Sequence, residues 1–173
     1  MIEIMRPEPA KHCWRTPPEV FGPLMLEFGV DLDACADETN ALVDRFITRE
    51  DDCLVMPWLR AAPCARSAFM NPPFGGKGGD FLGTGAFVDR AHNQSRHGLT
   101  VVVLVESRTD TAWWRRAYLR ADEVRIGGRV KFLRLDGTPG TQPKSGHTLF
   151  VFRPWTPVEG HPLGPRVSLW ATP

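Results

Sequence analysis

The tetrapeptide Asn71-Pro72-Pro73-Phe74 combines the groups that a site for a planar amine requires. Its two prolines restrict the backbone and remove two N–H donors, so the carbonyl oxygens and the Asn71 side chain converge on one spot as acceptors. The ring of Phe74 adds an aromatic face on which a base can stack. These residues therefore predict a site in which Asn71 and Pro72 accept both N6 hydrogens of an adenine.

The alternative interpretation of the tetrapeptide is a plain turn, because such strings commonly follow a strand. Its position favours the functional interpretation. The apolar run at residues 67–70 predicts a strand that ends directly before it, and the Gly-Gly-Lys-Gly-Gly sequence at 75–79 predicts a loop that admits a bulky substrate. This loop is not a phosphate-binding loop, since it lacks the Lys-Ser/Thr pair and the required glycine spacing.

Charged side chains are distributed unevenly, although the net charge is only +1 and 24% of residues are charged. Those totals exclude disorder and a uniformly basic coat. Residues 1–59 hold 5 Lys/Arg against 12 Asp/Glu, which suits a small cationic ligand, and Asp31 and Asp33 supply carboxylates for it. Residues 108–134 hold 8 Lys/Arg against 3 Asp/Glu, which suits a polyanion. The candidate phosphate contacts in this basic segment are Arg108, Arg116, Arg129 and Lys131.

Hydrophobic periodicity predicts the elements that position these groups. Alternation with period two predicts a strand at residues 30–34, and the continuous β-branched run at 99–105 predicts a parallel strand covered by helices on both faces. Thr16-Pro17-Pro18-Glu19 has the form of a capping box before a helix, and Asp110 is the expected cap of another. Further helices are predicted at 81–93 and 111–119, and closing strands at 124–132 and 148–152.

Strands that alternate with helices predict an α/β fold around a mostly parallel sheet with an antiparallel closing strand. Ligands of such sheets bind beyond the carboxyl ends of the strands. The chain has 173 residues, 42% of them apolar, which is enough for one domain, and we expect that domain at residues 1–153. Residues 154–173 are predicted to form a Pro-rich C-terminal extension.

The cysteines, at positions 13, 35, 53 and 64, include no C-x-x-C pair, and the histidines have no metal-ligand spacing. The sequence therefore predicts neither a metal site nor a disulfide framework. The N-terminus lacks a basic region followed by an apolar stretch, and the longest apolar run, at 101–105, is too short to span a bilayer. We expect a soluble protein of a reducing compartment.

Several motifs follow one another along the chain, and their order is more specific than any one motif. They are Trp14-x-Thr16-Pro17, Phe28-Gly29-Val30-Asp31-Leu32-Asp33-Ala34-Cys35-Ala36 with Asn40 after it, Glu50-Asp51-Asp52-x-Leu54 with Trp58, Asn71-Pro72-Pro73-Phe74, Arg108-Thr109-Asp110-Thr111-x-Trp113 and Gly128-Arg129-x-x-Phe132. From residue 14 to residue 152 the chain resembles the small phage and prophage DNA N6-adenine methyltransferases of the Dam type.

The resemblance implies a Rossmann-like fold, S-adenosylmethionine as the cofactor and double-stranded DNA as the substrate, in the cytoplasm of a bacterial host cell. The residues it implies for the cofactor site are Trp14, Thr16, Pro17, Asp33, Ala34 and Asn40. It implies that Asn71, Pro72, Pro73 and Phe74 hold the target base. Arg108 and Arg129 belong to its motifs, whereas Arg116 and Lys131 are candidates from the basic segment alone.

Two features depart from the wider methyltransferase pattern. Cys35-Ala36-Asp37-Glu38-Thr39 stands where a glycine-rich loop is expected. The tetrapeptide begins with Asn where many adenine enzymes have Asp, and Asn keeps the acceptor oxygen while losing the charge. Methylation of cytosine N4 or of a protein glutamine also suits the tetrapeptide, as does a non-catalytic DNA-binding module. The basic segment argues against a glutamine substrate, and the intact tetrapeptide argues against lost catalysis.

Overall fold

The computed structural model describes residues 14–73, 83–140, 143–154 and 165–170. Within these ranges the elements are α1 Pro18–Phe28, β1 Leu32–Asp33, α2 Trp58–Ala61, β2 Ser67–Met70, α3 Thr84–Ser95, β3 Thr100–Glu106, α4 Ala112–Arg120, β4 Glu123–Gly127, β5 His147–Phe152 and β6 Arg166–Trp170. None of the helices in these ranges has both the length and the apolar character that crossing a membrane requires.

The six described strands form one sheet in the order β1-β2-β3-β5-β4-β6. Strand β5 runs antiparallel to both β3 and β4, whereas the β1-β2, β2-β3 and β4-β6 pairs are parallel. This arrangement confirms the predicted mixed α/β fold with a mostly parallel sheet, but the antiparallel strand β5 lies inside the sheet, between β3 and β4, rather than closing it.

A short segment at residues 45–47 continues the sheet beyond β1. Asp33 forms a parallel bridge with Phe46, and its backbone N–H donates to the Arg45 carbonyl at 2.9 Å. The chain therefore leaves β1 toward this segment and leaves β2 in the opposite direction, toward β3. Connections that diverge in this way open a crevice beyond the carboxyl ends of the two strands.

Burial on both faces of the sheet explains the continuous apolar sequence of β3. Val101, Val103 and Val105 pack into a cluster with α3 and α4. Val102 and Leu104 pack into a second cluster with α1. Because successive side chains of a strand point to opposite faces, a strand covered on both sides needs an unbroken apolar run. The prediction of helices on both faces of this strand is confirmed.

The two predicted helix caps are wrong. Pro17 is the N-cap of α1 and no side chain caps this helix, so Thr16 and Glu19 do not form a capping box. Thr16 is only 5% exposed, and its side chain is directed into the protein instead. In α4 the cap is Thr111 rather than Asp110, because the Thr111 hydroxyl accepts a hydrogen bond from the backbone of the third helical residue at 3.4 Å.

The strand predicted at residues 124–132 is shorter than expected. β4 ends at Gly127, and the residues that follow leave the sheet. Val130 and Phe132 are buried against α1, so their apolar character indicated their burial but not their packing partner. The helix expected from residue 81 begins at Thr84 within the described part of the chain, and residues 81 and 82 lie outside the described residues.

β6 lies within the Pro-rich extension predicted at residues 154–173. It pairs in parallel with β4 from Glu123↔Arg166 to Gly127↔Trp170, and the Trp170 side chain packs against the α1 cluster. The extension thus supplies a strand at the edge of the sheet, which its proline content did not indicate. The expected domain boundary at residue 153 stays a prediction.

Candidate functional site

Asn71 follows β2 directly, at the carboxyl end of that strand. Its Nδ2 atom donates a hydrogen bond to Thr16 Oγ1 at 3.2 Å. Its Oδ1 atom is buried and has no hydrogen-bond partner among the described residues. A buried acceptor without a donor costs about 1–3 kcal/mol of folding free energy. The carbonyl oxygen of this amide is therefore available to a donor supplied by a ligand.

Thr16 reaches Asn71 because the segment before α1 is fixed at several points. Arg15 pairs with Leu133 through two backbone hydrogen bonds of 2.8 and 2.9 Å, and the Pro17 carbonyl accepts the first backbone bonds of α1. Pro17 is buried as well. The structure thus brings Thr16 and Pro17, expected at the cofactor site, next to the residue expected to hold the base.

Trp14 is half-buried and packs closely over Gly140. A Cβ atom at position 140 would collide with the indole and lie 2.8 Å from the Phe132 carbonyl oxygen, so only glycine permits this contact. Gly140 is a site-supporting residue that the sequence analysis missed. A lone glycine in a Gly/Pro-rich loop gives no indication of which side chain packs on it.

Asp33 ends β1 and is 3% exposed. Its Oδ1 atom accepts from the Cys35 backbone at 3.4 Å, and its Oδ2 atom accepts from the Leu42 backbone at 3.3 Å. Burial raises the pKa of Asp33 to about 6, and these two hydrogen bonds offset part of that rise. Asp31 lies before the other end of β1, where its carboxylate accepts from the Arg66 backbone at 2.8 Å, away from the crevice.

The loop between β1 and residue 45 is closed by its own polar groups. Asn40 Oδ1 accepts from the Asp37 backbone at 2.8 Å, so the Asn40 amide shapes the loop. The Arg15 guanidinium donates to the Thr39 carbonyl, with Nε at 2.9 Å, and ties this loop to the segment that carries Thr16. Arg15 is a second residue that the sequence analysis missed, although it is the variable position inside the Trp14-x-Thr16 motif.

A second loop, which follows residue 47, is anchored to α3. Arg90 donates to the Cys53 carbonyl at 3.2 Å and to the Met56 carbonyl at 2.7 Å, and Gln94 Oε1 accepts from the Trp58 backbone at 3.0 Å. Cys35 and Cys53 are free thiols whose sulfur atoms lie 3.3 Å apart. Among the described residues no group of three or more His, Cys, Asp or Glu side chains is arranged to hold a metal ion.

The tetrapeptide itself is only partly described. Pro72 is buried and Pro73 half-buried, directly beyond β2. Phe74, the expected stacking residue, and the glycine sequence at 75–79 lie outside the described residues. Ala34 is fully buried, and its backbone N–H donates to the Phe69 carbonyl at 2.8 Å, which places it beside the strand that leads to Asn71.

The structure divides the candidate phosphate contacts between the two faces of the sheet. Arg116 lies on α4 and forms an ion pair with Asp89 of α3 at 2.8 Å. Arg129 and Lys131 are exposed on the segment that packs with α1, on the opposite face, and no salt bridge joins either of them to another described residue. Arg108 is exposed just beyond β3, within 3.9 Å of Asp110.

His147 holds the segment that carries Arg129. It is 1% exposed, and its Nδ1 atom accepts from the Val130 backbone at 3.1 Å. Burial lowers the pKa of His147 to about 4, so the imidazole is neutral at pH 7 and retains its acceptor nitrogen. The sequence analysis assigned no role to His147, because nothing in its neighbourhood along the chain points to a segment 17 residues away.

The chain is similar to a family described as DNA N-6-adenine-methyltransferase (Dam), whose pattern matches residues 5–172. It is 32% identical over 153 residues to the DNA N-6-adenine-methyltransferase of Haemophilus phage HP1 (strain HP1c1), an alignment that covers 85% of this chain and 82% of the relative. It is 29% identical over 119 residues to the DNA N-6-adenine-methyltransferase of Escherichia phage T1. That second alignment covers 68% of this chain and 45% of the relative, so the chain matches less than half of the T1 protein's length.

Proposed function

We propose that this chain, which belongs to the DNA N-6-adenine-methyltransferase (Dam) family, transfers a methyl group from S-adenosylmethionine to the exocyclic amine of an adenine in double-stranded DNA. The observation that carries the proposal is the Oδ1 atom of Asn71, a buried acceptor at the carboxyl end of β2 that receives no hydrogen bond from any described residue. The sheet order and the diverging connections of β1 and β2 support a Rossmann-like methyltransferase fold.

The Asn71 amide has the chemistry needed to prepare an adenine amine for methylation. An adenine N6 group has two N–H donors, and its lone pair is delocalised into the ring. Asn71 Oδ1 accepts one hydrogen and the Pro72 carbonyl accepts the other, which holds the amine with its lone pair directed out of the ring plane. Catalysis then comes chiefly from positioning, and no covalent intermediate with the protein is needed.

The target adenine must leave the helix stack, because its amine is otherwise paired in the duplex. Phe74 provides the aromatic face that holds the extruded base, and base–aromatic stacking contributes roughly 1–3 kcal/mol. Pro72 and Pro73 limit the conformations of the chain between the amide and the ring. The tetrapeptide therefore supplies acceptors and a stacking surface from one short segment.

The residues around the crevice fit S-adenosylmethionine. The Asp33 carboxylate lies at the carboxyl end of β1, where it suits a ligand with ribose hydroxyls and positively charged sulfonium and ammonium groups. Of the other residues that the resemblance implies for the cofactor, we assign Trp14, Pro17, Ala34 and Asn40 to it, whereas the Thr16 side chain contacts Asn71 instead. When bound, S-adenosylmethionine supplies an electrophilic methyl group. The protein keeps Asp33 shielded from water and holds the loop at residues 34–42 through the hydrogen bonds to its carboxylate.

We assign the DNA phosphates chiefly to Arg129 and Lys131, and to a smaller degree to Arg108, whose charge Glu106 at 3.8 Å and Asp110 at 3.9 Å partly offset. Arg129 and Lys131 are exposed on the segment that pairs with Arg15, so they lie on the same side of the sheet as Thr16. Arg116 contributes less, since Asp89 already offsets its charge on the α3–α4 face. Salt-dependent phosphate contacts dominate the affinity of most proteins for DNA.

Incubation of the full chain with labelled S-adenosylmethionine and unmethylated DNA, followed by nucleoside analysis, tests the proposal. We expect the label in N6-methyladenine, because the acceptor pair at Asn71 and Pro72 matches an exocyclic amine. Label in N4-methylcytosine would mean that the chain methylates cytosine rather than adenine, by the same chemistry. No label in DNA, with cofactor bound, would leave the chain as a DNA-binding module.

Replacement of Arg129 by alanine should weaken DNA binding and also reduce methylation, whereas replacement of Arg116 should have the smaller effect. Each phosphate contact that is lost lowers the slope of log K against log salt concentration by about 0.9. The measurement is a titration of each variant with DNA at several salt concentrations, alongside methylation rates.

Arg96→Ala is the matched control, since Arg96 is an exposed arginine between the end of α3 and the start of β3, whereas the crevice lies beyond the carboxyl ends of the strands. An unchanged affinity and salt slope for Arg129→Ala would identify this part of the basic segment as ordinary solvated surface. Equal losses for Arg129→Ala and Arg116→Ala would contradict the division between the two faces.

A further inference from the structure

We infer that Thr16 is a positioning residue that determines which end of the Asn71 amide faces the substrate base. The inference rests on the proposed function, and it gives the Thr16 hydroxyl a task other than cofactor binding. The two side chains are separated by 55 positions in the sequence and meet through the 3.2 Å hydrogen bond from Asn71 Nδ2 to Thr16 Oγ1.

An asparagine needs such a partner because the two ends of its amide have opposite hydrogen-bonding character. The carbonyl oxygen accepts, whereas the NH2 group only donates. A half-turn of the amide about its Cβ–Cγ bond would direct two N–H donors at the adenine amine, which is itself a donor, and the hydrogen bond would be lost. The Thr16 hydroxyl could also donate to a carbonyl, but in the structure its oxygen accepts from Nδ2. Oδ1, which has no partner among the described residues, is therefore the end left for the base.

Burial makes the hydroxyl an effective partner. Thr16 is 5% exposed, so bulk water does not compete for its hydroxyl oxygen. The residue before a proline has a restricted backbone, and Arg15 on its other side is paired with Leu133 by two backbone hydrogen bonds. The Arg15 guanidinium also ties this segment to the Thr39 carbonyl. The hydroxyl is therefore fixed before any ligand binds.

The inference makes a specific distinction between Asn and Asp at position 71. The two oxygens of a carboxylate are equivalent, so either rotation of an aspartate presents an acceptor to the base. Loss of the Thr16 hydroxyl should therefore reduce turnover strongly when residue 71 is Asn and weakly when it is Asp. This non-additivity is the signature of an orienting contact, and a purely structural role of Thr16 would not produce it.

The experiment is a double-mutant cycle on the full chain with Thr16→Val and Asn71→Asp. We expect Thr16→Val to lower the methylation rate at saturating substrates about 10- to 100-fold, as the loss of a positioning contact in an active site typically does. The dissociation constant of the demethylated cofactor product should change little. In the Asn71→Asp background the same substitution should lower the rate no more than a few-fold. Thr16→Ser, which keeps the hydroxyl, should retain most of the activity.

Thr100→Val is the matched control, because Thr100 lies at the amino end of the interior strand β3, whereas the crevice lies beyond the carboxyl ends of β1 and β2. Should Thr16→Val fail to fold in a thermal melt, Thr16→Ala takes its place in the cycle. Should Asn71→Asp be too slow to assay, two measurements on the Asn71 background test the inference. One is whether Thr16→Ser retains the methylation rate that Thr16→Val loses, and the other is whether cofactor affinity stays unchanged in Thr16→Val.

Equal fold losses in the two backgrounds would overturn the inference. So would a loss of cofactor affinity that matches the loss of rate, since Thr16 would then be a cofactor ligand. Neither result would touch the proposed function, which fails only if the unaltered chain produces no N6-methyladenine.

Discussion

Replacement of Asn71 by alanine will lower adenine methylation at least about 100-fold while the affinity for S-adenosylmethionine stays nearly unchanged. Removal of one fixed hydrogen-bonding group from an enzyme active site typically costs about 10²- to 10³-fold in rate. Asn71 contacts Thr16, and its Oδ1 atom, which lacks a donor within the described ranges, is the acceptor that we assign to the adenine amine. The cofactor residues that we propose lie on other segments, so their contacts should survive the substitution.

Three measurements decide this prediction: the methyl-transfer rate at saturating substrates, the cofactor dissociation constant by calorimetry, and the thermal unfolding midpoint. Asn71→Asp should retain substantial activity, because it preserves an acceptor at the same position. Asn93→Ala is the control, since Asn93 is an exposed asparagine on α3. An Asn71→Ala variant with near-normal activity would reduce the tetrapeptide to a turn.

Replacement of Asp33 by alanine or asparagine will weaken cofactor binding at least about tenfold, an effect of about 1.4 kcal/mol. The ionised carboxylate both attracts a cationic ligand and accepts from the backbones of Cys35 and Leu42. An amide at position 33 keeps only one acceptor, and its NH2 group would face one of those N–H donors. The loop at residues 34–42 should therefore lose part of its order in both variants.

The pKa of Asp33 also predicts a pH dependence with a defined sign. Burial raises this pKa to about 6, so the carboxyl group is largely protonated below pH 6. Cofactor affinity should rise with pH and level off above about pH 7, if the ionised form is the one that binds.

Folding stability should change in the opposite direction. A raised pKa means that the folded state holds this proton between about pH 4 and pH 6, so the stabilising contribution present at low pH is lost as pH rises through 6.

Calorimetry with S-adenosylmethionine between pH 5 and pH 8 tests the first part of this prediction, and unfolding midpoints of the cofactor-free protein between pH 4 and pH 7 test the second. The Asp33→Asn variant should show a weaker pH dependence of both quantities. Asp44→Asn is the control, since Asp44 is an exposed carboxylate nearby in the sequence. A cofactor affinity that is independent of pH in the unaltered chain would contradict the assignment of Asp33 to the cofactor.

Local sequence patterns predicted the framework of this protein well. β3 is recognisable because a strand with cover on both faces needs an unbroken apolar run, and residues 101–105 form one. Asn71 was placed correctly after β2, since a short apolar run followed by two prolines marks the end of a strand. The apolar run at residues 148–152 likewise predicted the strand β5, although not its place between β3 and β4. These features depend on residues that are neighbours along the chain.

Contacts between distant segments were beyond such patterns. The sequence of Thr16-Pro17-Pro18-Glu19 suggests a helix cap, yet the Thr16 hydroxyl bonds to Asn71, because the pairing of Arg15 with Leu133 turns it toward β2. The basic segment appeared uniform in sequence, but Asp89 neutralises part of it from another helix. His147 acquires its acceptor role only through burial against Val130. Residue types and their periodicity determine which side-chain chemistry is present. Packing between remote segments determines which of these side chains meet, because partners are set by the burial of surfaces that are far apart in the chain.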